Sequence, residues 1–141
     1  MQAKSKVIKE VCVPDRYFFD YLRGYFDGDG CFYSYWDPRW RSSHMFYVEF
    51  ACASADHVEW LRRVLYEKAG VRGHVGFDGK KATLHLKYAK KEALEIIRKM
   101  YYSPGVVCLH RKRAKIEKAL EIERLQQKVY AQVEKLVDSQ P

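Results

Sequence analysis

The stretch Leu22-Arg23-Gly24-Tyr25-Phe26-Asp27-Gly28-Asp29-Gly30 decides the fold. In and before it, Tyr17, Phe18, Tyr21, Leu22, Tyr25 and Phe26 recur at three- and four-residue spacing. That spacing gives one side of a helix an apolar, aromatic face. Pro14-Asp15 suits the helix start, with Asp15 as its cap. Asp27-Gly28-Asp29-Gly30 then stops the helix, because glycine leaves helical geometry at least cost. Cys31 to Trp36 reads as a strand. Two carboxylates are thus held where a helix C-terminus meets a strand. The helix dipole disfavours negative charge there, so an anion needs a compensating partner, and a divalent cation is one candidate. Gly24 and Gly28 lie four apart on one face, and each costs a helix about 1 kcal/mol against alanine. Close approach of another backbone is the usual compensation; for Gly28 the alternative is a place in the turn.

Outward from this stretch, the chain alternates helices with hairpins. Residues 1–13 form a basic lead-in. Strand two covers about Met45 to Ala53, with Phe46, Val48, Phe50 and Cys52 alternating against Tyr47, Glu49, Ala51 and Ala53. Ser54 caps a helix whose buried side is Val58, Leu61, Leu65 and Ala69, and Gly70 ends it. A second hairpin follows, with Val71, Val75 and Phe77 on one partial face and Asp78-Gly79-Lys80-Lys81 as its turn. Ala82, Leu84, Leu86 and Tyr88 then alternate with Lys81, Thr83, His85 and Lys87. A helix over about Lys90 to Met100 turns Ala93, Leu94, Ile97 and Met100 inward, and Pro104-Gly105 breaks the chain. A long final helix from about His110 carries the apolar stripe Ile116, Leu120, Leu125, Val129, Val133 and Leu136. The order predicts an α+β chain with a four-stranded antiparallel sheet and helices on one face.

The other sheet face is expected to carry Tyr33, Tyr35, Arg39, Arg41, Tyr47, Glu49, Arg72, His74, Lys81, Thr83, His85 and Lys87. Such a surface suits DNA, with strands as base readers; a merely solvated face is the competing reading. The balance of 26 basic against 18 acidic residues, a net charge of +8, also favours a polyanionic partner. Cys12, Cys31, Cys52 and Cys108 are widely spaced, with no C-x-x-C and no zinc-type histidine pair, which argues against structural zinc. Three of the four sit in apolar company and are expected to be buried thiols, pointing to a reducing, intracellular setting. No signal peptide and no membrane-length apolar run is present in the sequence. A calcium loop fails on spacing: Cys31 falls at the third ligand position and Pro38 where the bidentate Glu belongs.

Read as L-x-G-x-x-D-x-D-G, with Leu22, Gly24, Asp27, Asp29 and Gly30 at the defining positions, the stretch resembles the signature of the LAGLIDADG homing endonucleases and maturases. The element order resembles that family's αββαββα fold, with its saddle-like sheet, over about residues 15 to 125. The resemblance implies an endonuclease domain over 14–127, with 128–141 as a helical extension. Leu109-x-Arg111-Lys112 resembles the family's late basic motif. It implies a catalytic role for Lys112, with Arg111 on the phosphate side. It further implies that Asp29 and the Gly28 carbonyl bind Mg²⁺, and that Asp27 is structural.

A single motif implies a homodimer packed through Leu22, Gly24, Tyr25, Asp27 and Gly28 on a nearly palindromic target. The implied activity is site-specific, metal-dependent hydrolysis of double-stranded DNA that leaves 3′ overhangs, as in intron-encoded homing endonucleases. One departure stands out. Many nuclease members place a polar residue, often Gln, at the end of strand two, whereas this chain has Ala51-Cys52-Ala53-Ser54, where Ser54 serves only if the register slips by one. The rival is a non-cutting relative: a maturase acting on intron RNA, or a DNA-binding regulator.

Overall fold

A computed structural model describes residues 8–40 and 43–139. A 3₁₀ turn at Asp15–Tyr17 leads into α1 (Phe18–Asp29), followed by β1 (Gly30–Trp36) and β2 (His44–Cys52). Then come α2 (Ala55–Ala69), β3 (His74–Asp78), β4 (Thr83–Ala89), α3 (Lys90–Met100) and α4 (His110–Asp138). The strands form one antiparallel sheet in the order β1-β2-β4-β3. Its inner face presents Phe32, Phe46, Val48, Phe50, Leu86 and Tyr88 to the helices, where they join Phe18, Leu22, Phe26, Leu61, Leu65, Ile96 and Ile116 in one core. The α+β architecture expected from the alternating pattern is the one observed, because period-two burial in β2 and β4 leaves each strand one apolar side to cover.

Several local expectations are corrected. Asp15 does not cap α1; its carboxylate accepts from Lys68 Nζ at 3.1 Å, and the 3₁₀ turn starts at Pro14 without a side-chain cap. The helix does not stop at Asp27 but runs through Gly28 to Asp29. The stop is Gly30, whose extended backbone begins β1 directly (φ −95°, ψ 167°). A Cβ there would lie 2.4 Å from Phe26 Cδ2 and 2.7 Å from the Phe26 carbonyl, so only glycine lets the chain leave the helix against that ring. Phe77 is 68% exposed rather than part of a buried face, because it lies at the far end of an edge strand whose only strand partner is β4. In α3, Ile96 is buried besides the residues expected, and Leu94 is half-buried against the core. No cysteine among the described residues is buried: Cys12 and Cys31 are exposed, Cys52 and Cys108 half-buried, and all four are free. Ser54 does cap α2, accepting from His57 N, and Gly70 ends it in the left-handed region (φ 67°). Among the described residues, no helix is long and apolar enough to cross a membrane.

One buried charge joins the first helix to the segment after α3. Arg23 is 7% exposed, and its guanidinium donates to Met100 O (2.6 Å) and Val107 O (2.9 Å). It also binds the Asp20 carboxylate at 3.0 Å. Hydrogen bonds from Tyr102 and Arg23 hold the Asp20 carboxyl below its ordinary range. Arg23→Met should therefore destabilise the protein by about 3 kcal/mol, since two carbonyls lose their donor and Asp20 its counter-charge. Arg23→Lys should recover little, as one ammonium cannot span the fork. Urea unfolding of both variants checks this; an unchanged midpoint for Arg23→Met would remove Arg23 from the framework.

Candidate functional site

The end of α1 and the start of α4 cap each other. A helix C-terminus leaves carbonyls without intrahelical donors. Here Lys112, in the first turn of α4, directs its Nζ to three carbonyls of the motif stretch: Phe26 O at 2.6 Å, Gly30 O at 2.7 Å and Asp27 O at 3.0 Å. In return, Asp27 Oδ2 accepts from Leu109 N, the residue that caps α4, at 2.9 Å. Burial pushes the Lys112 ammonium below its ordinary pKa, and the nearby Asp27 charge opposes that shift. The positive charge that the helix end demands is thus supplied from within the chain.

Asp29 occupies the last position of α1, exposed, and makes neither a hydrogen bond nor an ion pair among the described residues. It borders a cleft of about 430 Å³ with Tyr25, Ala51, Cys52, His57 and Thr83. Tyr25 closes one wall: its hydroxyl donates to Ala51 O at 2.6 Å, and burial raises its pKa well above the ordinary tyrosine range. His57 is buried against Tyr25 and Trp60, with Nδ1 2.8 Å from Lys9 O. Ser54 cannot face this cleft as a water-orienting group. Its Oγ is buried, accepts from His57 N and donates to Ile8 O.

The donor set defines which cation could sit here. Among the described residues, no three His, Cys, Asp or Glu side chains gather at metal-holding spacing. A caged zinc site does not fit. The Asp29 carboxylate and the Gly28 carbonyl, which Lys112 leaves out of its set, are oxygen donors of the kind Mg²⁺ takes. They fit an ion that keeps waters and draws further oxygens from a phosphate.

The outer sheet face holds eight of the twelve residues expected there. Register places Tyr33, Tyr35, Tyr47, Glu49, Thr83, His85, Lys87 and His74 together. Tyr47 stacks on Tyr33 and Tyr35, at ring-centroid distances of 5.1 and 6.0 Å. Lys87 Nζ lies 4.4 Å from the Tyr47 ring centre and 5.2 Å from that of Tyr33. A hydrogen bond with Tyr33 raises the Lys87 pKa. His85 is in ion-pair contact with Glu49.

The other four differ. Arg72 is on the helical side: its guanidinium lies over Tyr66 of α2, and its backbone N–H donates to Glu92 of α3. Lys81 sits in the β3–β4 turn rather than on a strand, and Arg39 in the β1–β2 turn, bound to Asp37. Arg41 lies outside the described residues. The face therefore has an aromatic centre, with Arg39 and Lys81 beyond the strand ends. Arg111 is exposed beside Lys112.

Of the residues expected at a helix–helix interface, Leu22 belongs to the protomer's own core and presents nothing outward. Tyr25 spends its hydroxyl on Ala51 O, and Asp27 spends Oδ2 on Leu109 N. Gly24 and Gly28 are exposed, and a Cβ on either would meet no atom within 4 Å. Among the described residues, nothing packs against the two glycines to offset their cost to this helix.

The four-stranded antiparallel sheet with helices on one face is the fold of the LAGLIDADG homing endonucleases, and this chain has that fold. It resembles the homing endonuclease I-TnaI with a TM-score of 0.51 and 14% identity, over 80% of this chain and 74% of that one. It resembles the archaeal intron-encoded homing endonuclease I-Vdi141I, solved in complex with DNA, with a TM-score of 0.53 and 12% identity, over 84% and 72%. It also resembles the LAGLIDADG homing endonuclease I-LtrWI bound to target DNA, with a TM-score of 0.50 and 12% identity, over 89% of this chain but 41% of that one. No family model matches the sequence, and no curated protein matches it.

Sequence reasoning missed Arg23 and the capping role of Lys112, since their partners lie 77 to 86 residues away. The available signal was an unsatisfied helix end followed, far downstream, by a basic residue in a helix's first turn. Lys112→Met should cost about 2 kcal/mol of stability, because carbonyls at the end of α1 lose their donor. Thermal unfolding measures it; a melting temperature equal to wild type would show that solvent serves those carbonyls equally well.

Proposed function

We propose that this protein is a site-specific, metal-dependent DNA endonuclease that acts as a homodimer. The observation that carries the proposal is the unpaired Asp29 carboxylate, exposed at the end of a helix whose glycine side stands open. Two copies packed through Gly24 and Gly28 would place two Asp29 side chains side by side, and a twofold dimer reads a nearly palindromic target. The outer sheet face would lie along the duplex, with Tyr33, Tyr35, Tyr47, His85 and Lys87 toward the bases and Arg39, Lys81 and Arg111 toward phosphates. That two of the resembling proteins were solved with DNA supports this assignment. Asp29 and the Gly28 carbonyl would hold Mg²⁺, which when bound polarises the scissile phosphate and acidifies a water. Lys112 positions both ligands by fixing the helix end, and its charge favours the anionic phosphate beside it. Cutting both strands across the minor groove would leave 3′ overhangs.

A second reading has its own observation. β2 ends in Ala51 and Cys52, Ala53 follows, and Ser54 is buried, so among the described residues no hydroxyl, amide or charged side chain from that strand end stands ready to orient water. A maturase binding intron RNA, or a DNA-binding regulator, would use the same face without cutting.

On DNA that the wild type cuts, Asp29→Asn should slow cleavage about a thousandfold, matching loss of the several kcal/mol a metal supplies, while leaving binding within about threefold. Single-turnover cleavage and gel-shift titration measure the two; cutting at the wild-type rate would sink the metal assignment. Gly24→Leu should halve the mass of the assembly in sedimentation and abolish double-strand cutting, and an undiminished mass would remove the glycine-packed interface.

A further inference from the structure

The outer sheet face, proposed to meet a polyanion, carries a carboxylate near its middle. Glu49 lies on the interior strand β2, with Cys31 of β1 on one side and Lys87 of β4 on the other. The other acid on this side, Asp78 at the β3–β4 turn, spends Oδ1 on the amides of Lys80 and Lys81. Glu49 is not spent on a turn. Opposite charges directly across an antiparallel ladder ordinarily attract one another into a pair. Here the lysine leans the other way: its Nζ sits 4.4 Å from the Tyr47 ring centre and is hydrogen-bonded with Tyr33. Among the described residues the ion-pair partner of Glu49 is instead His85, whose Nδ1 meets Oε1. A carboxylate only accepts, so that nitrogen carries the hydrogen. The Glu49 side chain keeps 20% of its surface exposed, and Oε2 has no partner among the described residues. A bare carboxylate oxygen repels phosphate, and what it can accept from on DNA is an exocyclic amine at a base edge.

We propose that Glu49 selects cytosine in the major groove, accepting from the N4 amine through Oε2 while His85 holds Oε1 in place. A two-stranded ribbon fits that groove. There cytosine shows its amine alone, whereas adenine shows its amine beside the N7 acceptor, and guanine and thymine show only acceptors and a methyl group. A fixed carboxylate accepts from the first and is repelled by the lone pairs of the others. Lys87, one strand over, keeps the face cationic around it. Cys31, opposite Glu49, is two residues beyond Asp29, so the cytosine lies roughly 8 Å, or about two to three base pairs, from the phosphate that Asp29 addresses. An A-form RNA helix keeps its major groove too deep and narrow for side chains to read, which favours duplex DNA as the partner. The inference rests on the proposal that this face meets DNA, and it needs binding rather than cutting.

Selection of bound duplexes from a randomised DNA library, with the full chain and without Mg²⁺, tests it. Sites selected by the wild type should carry a C·G pair in each half-site, favoured about tenfold or more over other pairs. Glu49→Gln should lose the cytosine preference at that one position and admit adenine, because an amide donates to N7 as well as accepting from N6. Its melting temperature and its preferences elsewhere in the site should match wild type. His85→Ala should blunt the preference at the same position alone, whereas a purely structural role would weaken binding to every sequence alike. Cytosine retained by Glu49→Gln overturns the inference, as does a wild-type site with no C·G pair at the position the variant changes. Salt-steep binding with no base selected overturns it too and leaves the DNA reading standing; absence of DNA binding by the wild type overturns both.

Discussion

Three hydrogen bonds from one ammonium hold the two ends of this fold together. A helix that turns straight into a strand leaves its last carbonyls facing whatever lies beyond, and here no left-handed cap intervenes. Lys112 fills that place. Its reach depends on where α4 begins, and α4 begins where Asp27 holds the Leu109 amide. Arg23 fixes the intervening segment by its grip on Met100 and Val107. Each contact positions the donor of the next, so the carboxylate end of α1 is fixed by the far end of the chain. Asp29 benefits without being consumed: a positive charge stands close by, yet the carboxylate remains exposed and unpaired.

That separation of duties runs through the site. Side chains with polar groups a ligand could use are occupied in structure, as Ser54 is by α2 and the lead-in, and Tyr25 by β2. What stays available is one carboxylate, two bare glycines and a sheet face whose tyrosines are already stacked. Stacking them in advance lowers the ordering cost when a ligand arrives. Lys87 on the tyrosine rings keeps its charge at the centre of the face, while Arg39 and Lys81 stand at the turns. A duplex lying across the sheet would meet flat aromatic surface flanked by cations.

Much of this was legible in the sequence where the cause is local. Strict alternation in Phe46 to Cys52 and Leu84 to Tyr88 follows from the two-residue period of a strand and falls within β2 and β4, whereas Ala82, expected on the same face, sits exposed in the turn before β4 with φ 49°. Ser54 before an apolar run and Gly70 after it bracket α2 because capping is a one-turn effect. The destinations of long cations were not legible. Arg72 was read onto the sheet face by its place beside β3, but a guanidinium can equally lie on Tyr66 across the helical layer, and it does. The family resemblance implies Leu22 at the helix–helix interface with the glycines, yet it projects from the other side of the helix into the core, as its place on the apolar face predicts. Apolar neighbours in sequence predict burial for three of the four cysteines, but they say little about neighbours in space, and none of the four is buried.

If the Asp29 ends of two copies cut DNA, as we propose, the purified protein needs only DNA and Mg²⁺ to do so. The most direct test incubates the purified protein with a randomised DNA duplex library and Mg²⁺, then sequences the cut ends. The account predicts enriched, nearly palindromic cut sites with 3′ overhangs. Intact DNA throughout, under conditions where the protein still binds DNA with steep salt dependence, would contradict it and leave the non-cutting reading in its place.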